Sequence, residues 1–259
     1  MKFDSKVAIV TGSGQGIGKA IAMALAAEGA KLVTNNRQQG TQGGDAATVA
    51  AEIKSTGGVA IPFFGDVSNQ KEAGKLVQTA LSNFGKIDIL VNNAGIYLDG
   101  AIINNTEEQI SDVINVNIKG YIYCCQHVIP HMAKQKYGKI VNISSGLGLK
   151  ANPMVSVYSA TKYAILGLTE ALAAELAYYN INVNAVCPGI IPTSMNDWQP
   201  QIHKLAAYNY FRREVTPEDI AVGVLFLASD EARNITGHGL PVTAGCEKQI
   251  PPPEPFFTV

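Results

Sequence analysis

Short runs of apolar, often β-branched residues alternate with longer amphipathic, alanine-rich stretches from the N-terminus to about residue 245. This alternation is typical of βαβ units, which build a parallel sheet covered by helices on both faces. The short runs predict strands at Val7–Val10, Lys31–Asn35, Val59–Phe64, Ile87–Val91, Lys139–Ile143, Asn182–Val186 and Leu240–Thr243. The longer stretches predict helices at Gly16–Glu28, Gly44–Ser55, Gln70–Phe84, Glu107–Ala133, Val157–Tyr178 and Pro217–Leu227. The pattern therefore predicts an α/β fold, a single-domain, doubly wound, Rossmann-like parallel sheet.

Three stretches depart from this rhythm. The polar, glycine-rich segment 38–45 predicts a flexible loop after the second strand. The irregular segment 190–214 follows the end of a strand, which is where an open α/β sheet would place a substrate lid. The proline-rich tail 250–259 predicts neither a helix nor an inner strand. We expect one domain over residues 1–259, with this lid and this tail.

Composition narrows the class of function. The chain of 259 residues has a net charge of -1 and no apolar stretch of membrane-spanning length, which disfavours nucleic acid and membranes as partners. Its four cysteines show no Cys-x-x-Cys spacing, which fits a reducing compartment. His127 and His131 stand one helical turn apart but lack an assignable third ligand, so no metal site is predicted. We expect a cytoplasmic protein that acts on a small molecule.

Tyr158 and Lys162 form a candidate proton-transfer pair. Their i,i+4 spacing places both side chains on one face of the predicted helix. A phenol titrates near pH 10, and a nearby cation favours the phenolate. Lowering the pKa by about three units takes roughly 4 kcal/mol, which Lys162 could supply together with a second cation such as an oxidised nicotinamide ring. The same spacing also arises by chance in many helices.

The run from Thr11 to Gly18 follows the first strand and opens the first helix. It does not match Gly-x-Gly-x-x-Gly, because the third glycine position falls on Ile17. It does match Gly-x-x-x-Gly-x-Gly through Gly12, Gly16 and Gly18. Glycines in this context let the backbone approach a pyrophosphate at a helix N-terminus. A strand-to-helix turn that needs glycine only for packing is the alternative.

The end of the second strand carries Asn36 and Arg37, where an acid would bind the ribose hydroxyls of NAD. A guanidinium at this position can pair with a 2′-phosphate, so NADP(H) is predicted and NAD(H) is the alternative. Two observations leave the choice open: Gln15 supplies no second cation, and the loop could fold Asp45 back into the site. Arg37 could also be a solvated loop residue.

Further strand ends carry candidate ligand-binding residues. Asp66 and Val67 follow the third strand, and Asn93, Ala94 and Gly95 follow the fourth. In open α/β sheets, ligands bind at the carboxyl ends of the strands. Asn, Asp and Gly also favour turns, so either group alone could simply form a turn. Their repetition at one edge of the sheet favours a binding site.

Taken together, these motifs resemble the short-chain dehydrogenase/reductase family over residues 5–245, with ketoacyl-carrier-protein reductases as the nearest group. The resemblance rests on the glycine run at 11–18, Asn92 to Gly95, Asn117, Ser145, Tyr158 with Lys162, and Pro188, Gly189 and Thr193. It implies that Tyr158 is the acid/base and that Lys162 lowers its pKa and contacts the nicotinamide ribose. It further implies that Ser145, rather than its neighbour Ser144, binds the substrate oxygen. Asn117 would support a proton-relay water.

The resemblance also implies a cofactor site and an oligomer. The cofactor-binding residues would be Gly12, Ser13, Gln15, Gly16, Ile17, Gly18, Asn36, Arg37, Asp66, Val67, Asn93, Ala94, Gly95, Tyr158, Lys162, Pro188, Gly189, Ile191 and Thr193. In this family the two long helices form a four-helix contact between subunits, so we expect a homo-oligomer, a tetramer or a dimer.

The substrate pocket is predicted to be mostly apolar, which favours a hydrophobic or aromatic ketone over a polyol. Its predicted residues, besides Ser145 and Tyr158, are Tyr97, Leu147, Met154, Ile190, Met195 and Trp198. The sequence therefore predicts an oxidoreductase that interconverts a ketone and a secondary alcohol with NADP(H). A catalytically idle nucleotide-binding regulator is the first alternative, since one fold supports many functions. Lyase or epimerase chemistry with bound nicotinamide is the second.

Overall fold

The strands form one parallel sheet, as the hydrophobic pattern predicts. They are β1 Val7–Val10, β2 Lys31–Asn36, β3 Val59–Phe64, β4 Ile89–Asn92, β5 Gly138–Ile143, β6 Ile181–Pro188 and β7 Gly239–Val242. The order across the sheet is β3-β2-β1-β4-β5-β6-β7, and each neighbouring pair is parallel. The computed structural model describes residues 1–40, 43–195 and 201–246. The tail 250–259 lies outside these ranges.

The helices follow the strands in alternation. They are α1 Gly16–Ala27, α2 Ala46–Ser55, α3 Gln70–Phe84, α4 Glu107–Ile114, α5 Gly120–Gln135, α6 Ser156–Leu176, α7 Ile202–Ala206 and α8 Pro217–Ala228. Local sequence explains where several of them begin. Thr106 and Thr216 each form a capping box with the residue three positions on, and Pro217 occupies the first turn of α8.

The two faces of the sheet are covered by separate helical layers. Alternate side chains of β1 point to opposite faces, so Ala8 and Val10 lie in one core and Val7 and Ile9 in the other. The first core includes buried residues of α1, α2 and α8, and the second includes those of α3, α5 and α6. No helix in the described ranges is both long enough and apolar enough to span a membrane.

The prediction of one continuous helix over Glu107–Ala133 is wrong. A π-helical turn at Asn115–Lys119 separates α4 from α5, and α5 continues to Gln135. The apolar periodicity does not reveal this break, because a π turn adds one residue without removing the apolar face. The turn carries Asn117, whose fully buried side chain is bonded to another loop. A tertiary contact therefore accompanies the irregularity.

The strand order defines where a ligand can bind. From β1 the chain proceeds to β2 and β3 on one side and then crosses to β4, β5, β6 and β7 on the other. At such a switch point, the loops after neighbouring strands diverge and leave a crevice at their carboxyl ends. Here the crevice lies between the loops that follow β1 and β4.

Substitution of Leu90 tests whether β4 lies in the centre of the sheet. Its side chain is fully buried, whereas Val59 on the edge strand β3 is 45% exposed. We expect Leu90→Ala to lower the free energy of unfolding by about 2–5 kcal/mol, because it leaves a cavity in the core. Val59→Ala should lower it by less than about 1 kcal/mol. Urea unfolding measures both, and equal losses would contradict the assignment.

Candidate active site

The glycine run forms a tight turn between β1 and α1. Gly12 and Gly16 have φ values of +62° and +53°, a region that side chains disfavour. A Cβ at Gly12 would lie 2.8 Å from the Cα of Ala94, and one at Gly18 would overlap the Gly12 carbonyl oxygen. Glycine is therefore required here by close approach of backbone to backbone. The N-terminus of α1 faces the crevice as a result.

Thr11 joins this turn to the loop after β4. Its hydroxyl oxygen accepts hydrogen bonds from the backbone N–H groups of Asn93, at 2.9 Å, and Ala94, at 3.0 Å. The Asn93 side chain donates in return to the carbonyls of Thr11 and Gly12, at 2.9 and 3.1 Å. The two loops at the switch point are thus held together by reciprocal bonds.

Asn35, at the end of β2, holds the glycine turn in place through its side chain. Its side-chain oxygen accepts from the Gly12 N–H at 3.3 Å, and its amide donates to the Gly65 carbonyl at 3.0 Å. Ser13, predicted to contact the cofactor, is instead fully buried, and its hydroxyl accepts from the Asn35 N–H at 2.9 Å. The structure therefore places Ser13 beneath the turn, outside the wall of the cleft. A polar residue in a glycine turn gives no local sign of which way it points.

Gln15, Asn36 and Arg37 line the part of the cleft beside the glycine turn. Within the described ranges, the side-chain oxygens of Gln15 and Asn36 are buried and have no hydrogen-bond partner. These two oxygens pack against Gly14 and Gly43, while both side chains line the cleft. Arg37 lines the same part of the cleft and is exposed. These residues and the glycine turn fit the adenosine and pyrophosphate of a nicotinamide dinucleotide.

Asp45 does not take the place of a ribose-binding acid. Its carboxylate caps α2, accepting from the backbone N–H of Gly40 at 2.7 Å and of Thr48 at 2.9 Å. These hydrogen bonds lower the pKa of the Asp45 carboxyl. The segment does fold back, because a Cβ on Gly14 would lie 2.7 Å from the Cα of Asp45. Asp45 thus packs on the glycine turn while its carboxylate caps α2.

Ser145, Tyr158 and Lys162 converge on the other half of the cleft. Ser145 caps a short 3-10 turn after β5, and its hydroxyl lies near enough to Tyr158 to lower the pKa of the phenol. The ammonium of Lys162 donates to the Ile143 carbonyl at 3.0 Å and lies 5.6 Å from the centre of the Tyr158 ring. The neighbouring Ser144 instead donates to the Lys162 carbonyl at 2.8 Å. Ser145 is therefore the serine that faces Tyr158.

Burial dominates the proton affinities of this pair. It raises the pKa of Tyr158, a rise that the nearby Ser145 hydroxyl opposes and the nearby Tyr97 reinforces. It lowers the pKa of Lys162 from 10.5 to about 8. In the protein alone, the pKa of Tyr158 thus lies above its ordinary value, whereas the spacing with Lys162 predicts a lower one. The lowering by Lys162 stays a prediction for the complex with an oxidised cofactor.

Asn117 lies beside the cleft and does not line it. Its side-chain oxygen accepts from the Ile96 N–H, and its amide donates to the Ile96 carbonyl, both at 2.9 Å. The amide also donates to the Thr161 hydroxyl at 3.2 Å. Asn117 thus fixes the loop after β4 against α6. Its part in a proton relay stays a prediction.

The cleft has a volume of about 790 Å³. Apart from Ser13, every predicted cofactor and substrate residue within the described ranges lines it; Trp198 lies outside those ranges. Met195, Ile202 and Tyr208, from the predicted lid segment, lie on its wall. Lining residues that the prediction missed include Asn35, Gly65, Asp99, Lys150, Asn152 and Tyr208. Asn35 and Gly65 stand at strand ends, which is a signal that could have found them. No group of three or more His, Cys, Asp or Glu side chains in the described residues is placed to hold a metal ion.

Comparisons of the chain with a protein-family model and with individual proteins agree with each other. The family model described as short chain dehydrogenase matches residues 6–202. A 3-oxoacyl-(acyl-carrier-protein) reductase of Synechocystis sp. is 41% identical over 242 residues, 93% of this chain and 96% of the relative. The enzyme of that name from Thermotoga maritima is 36% identical over 247 residues, 95% of this chain and 99% of the relative. One from Staphylococcus epidermidis is 38% identical over 246 residues, 93% of this chain and 98% of the relative.

The lowered pKa of Lys162 predicts how the stability of the protein depends on pH. Because burial lowers it from 10.5 to about 8, the unfolded chain binds a proton between these pH values that the folded chain does not. Stability therefore rises with pH across this window. Between pH 8 and pH 10.5, we expect the free energy of unfolding of the wild type to rise by about 3 kcal/mol relative to that of Lys162→Met.

Urea unfolding at a series of pH values measures this gain. Lys54→Met, at an exposed position on α2, is the matched control. A wild-type curve that runs parallel to that of Lys162→Met from pH 8 to 10.5 would show that the burial of Lys162 does not shift its titration.

Proposed function

The chain belongs to the short-chain dehydrogenase family, and we propose that it is an NADP(H)-dependent oxidoreductase that interconverts a ketone and a secondary alcohol. The observation that carries the proposal is the convergence of Ser145, Tyr158 and Lys162 in one cleft with the glycine turn. The relatives named above are 3-oxoacyl-(acyl-carrier-protein) reductases, so a 3-oxoacyl thioester is the first substrate to test. We also expect a homo-oligomer, a dimer or a tetramer, that acts on a small molecule.

The glycine turn would hold the cofactor. The N-terminus of α1, which begins at Gly16, offers backbone N–H groups and a partial positive charge to a pyrophosphate. Asn36 and Gln15, which line the cleft, would bond the adenosine ribose through their side-chain amide groups. Arg37 would pair with a 2′-phosphate, because a guanidinium matches the geometry of phosphate oxygens. A bound nicotinamide cofactor supplies the hydride.

Tyr158 and Ser145 would manage the proton and the charge on the substrate oxygen. Reduction of a ketone leaves negative charge on its oxygen, and the Tyr158 hydroxyl donates the proton that neutralises it. The Ser145 hydroxyl donates a hydrogen bond to the same oxygen and stabilises the developing charge. A raised pKa keeps Tyr158 protonated in the protein alone, which suits its role as the acid in reduction. Oxidation of the alcohol follows the same path backwards.

Lys162 would assist both halves of the site. Its ammonium is held by the Ile143 carbonyl, beside the Tyr158 ring. From there it can bond a ribose hydroxyl of the cofactor and stabilise a phenolate electrostatically during oxidation. The buried surroundings strengthen this attraction, because charges interact more strongly where water is excluded.

Tyr158→Phe tests the proposed chemistry. The variant keeps the ring but has no proton to donate, so we expect kcat to fall at least about 100-fold while NADPH still binds. The measurement is NADPH oxidation across a panel of ketones that includes a 3-oxoacyl thioester, with binding followed by cofactor fluorescence. Tyr178→Phe, at a tyrosine that is 81% exposed, is the matched control.

Two outcomes would count against the proposal. Unchanged turnover in Tyr158→Phe would remove this side chain from the chemistry. Cofactor binding without turnover of any ketone by the wild type would favour an idle nucleotide-binding regulator instead.

Arg37→Gln tests the choice of cofactor. Removing the guanidinium deletes charge-assisted hydrogen bonds to a 2′-phosphate, so we expect KM for NADPH to rise about tenfold or more. KM for NADH should hardly change, because NADH lacks that phosphate. Steady-state kinetics with both cofactors measures the effect, and Arg233→Gln, outside the cleft, is the control. A wild type that uses NADH as well as NADPH, or better, would contradict the preference.

A further inference from the structure

Besides Lys162, the substrate half of the cleft is lined by two charged side chains, Asp99 and Lys150. Lys150 follows the 3-10 turn that Ser145 caps, and Asp99 follows Tyr97, whose ring packs edge-on against that of Tyr158 at 4.9 Å. Both charges therefore lie on segments that touch the reacting groups. Neither is needed for the chemistry proposed above.

The backbone of Lys150 is held firmly relative to Ser145. Its N–H donates to the Gly146 carbonyl at 2.9 Å, and the Tyr163 hydroxyl of α6 donates to the adjacent Leu149 carbonyl at 2.7 Å. A Cβ at Gly148 would lie 2.8 Å from the Lys162 carbonyl oxygen, so this turn is packed closely on α6. The Lys150 ammonium thus extends from an anchored position, with only its side chain free to turn.

The Lys150 side chain is exposed and, within the described ranges, has no hydrogen bond or ion pair to its ammonium. Several other lysines of the chain are paired: Lys19 with Glu52 at 2.8 Å, and Lys86 with Asp88 at 2.9 Å. An unpaired ammonium in the wall of a ligand cleft is available to an anion. The lining of the cleft also includes Leu147, Met154 and Tyr208, which suit an apolar chain between the ketone and that anion.

Asp99 places the opposite charge on the loop after β4. The Gly100 N–H donates to the Met154 carbonyl at 2.7 Å, which ties the loop after β4 to the loop that follows Lys150. The Asp99 carboxylate acts on the Tyr97 hydroxyl, whose pKa is raised by burial and by this charge. Asp99 and Lys150 lie on connected loops and do not pair with each other. The rim of the cleft is therefore electrically polarised.

We propose that Lys150 binds an anionic group of the substrate, a carboxylate or a phosphate remote from the ketone, and that Asp99, on the loop after β4, repels this group. The proposal rests on the proposed function and adds a substrate class to it: ketones with an apolar middle and an anionic end. Attraction by Lys150 and repulsion by Asp99 would fix the direction in which such a substrate enters.

Matched ketone pairs test the proposal and separate the two sources of charge. Acetoacetyl-CoA carries phosphates, and the acetoacetyl thioester of N-acetylcysteamine presents the same ketone without them. The second pair is 5-oxohexanoate, with a carboxylate, and its neutral methyl ester. For Lys150→Met we expect kcat/KM to fall about two- to fivefold on the anionic member of at least one pair, as for an exposed ion pair. The neutral members should be unaffected.

Asp99→Asn supplies a change of opposite sign. It should raise kcat/KM for the same anionic ketone by a similar factor, because a repulsive charge is removed. A purely structural role for these residues would not give opposite effects that depend on the charge of the substrate. Added salt should shrink both effects through screening. Lys54→Met, a lysine outside the cleft, is the control and should leave every ratio unchanged.

Equal effects of Lys150→Met on charged and neutral members of both pairs, or none on either, would overturn the proposal. A wild type that reduces none of the four ketones would overturn the proposed function instead. In that case calorimetric binding of 3-hydroxybutyryl-CoA and of 5-hydroxyhexanoate to the protein with NADP still decides the subsite. Weaker binding of either ligand by Lys150→Met supports it, and unchanged affinity for both rejects it.

Discussion

The cleft depends on one contact between two loop backbones at the carboxyl edge of the sheet. Gly12, after β1, lies so close to Ala94, after β4, that a side chain at position 12 would separate them. Thr11 closes the same contact by accepting two backbone hydrogen bonds. The contact exists because β1 and β4 are direct neighbours in the sheet. It sets the distance between the glycine turn, which would hold the cofactor, and the loop that packs beside Lys162.

Buried polar groups give the reacting end of the cleft its fixed shape. The Lys162 ammonium donates to the Ile143 carbonyl, and the Lys162 carbonyl accepts from Ser144, so both ends of this residue are held. Asn117 uses its whole amide group to bind Ile96 and α6. A buried polar group without a partner is costly, so each of these bonds restricts the chain to one arrangement. Tyr158 and Ser145 are oriented by this framework.

Burial also explains why the spacing of Tyr158 and Lys162 is an incomplete guide to their chemistry. Considered as an isolated i,i+4 pair, the ammonium should lower the pKa of the phenol. Inside the protein, desolvation favours the uncharged form of both groups, so the pKa of Tyr158 rises and that of Lys162 falls. The protein alone thus keeps a protonated phenol beside a cation that is easily neutralised. A bound cofactor with its own charge would shift this balance.

The sequence by itself determined the period and order of the elements and the residues at the strand ends. Strand alternation, the caps at Thr106 and Thr216 and the glycine spacing are local properties, which is why the sheet and the strand-end residues of the cleft could be predicted. The resemblance to a known family supplied the rest of the predicted lining. Tertiary structure alone decided the π turn at Asn115–Lys119, the burial of Ser13 beneath its own turn, and the position of Lys150 in the wall of the cleft. The physical reason is that the partner of a polar side chain depends on which distant segments pack against it, and a local pattern does not encode that packing.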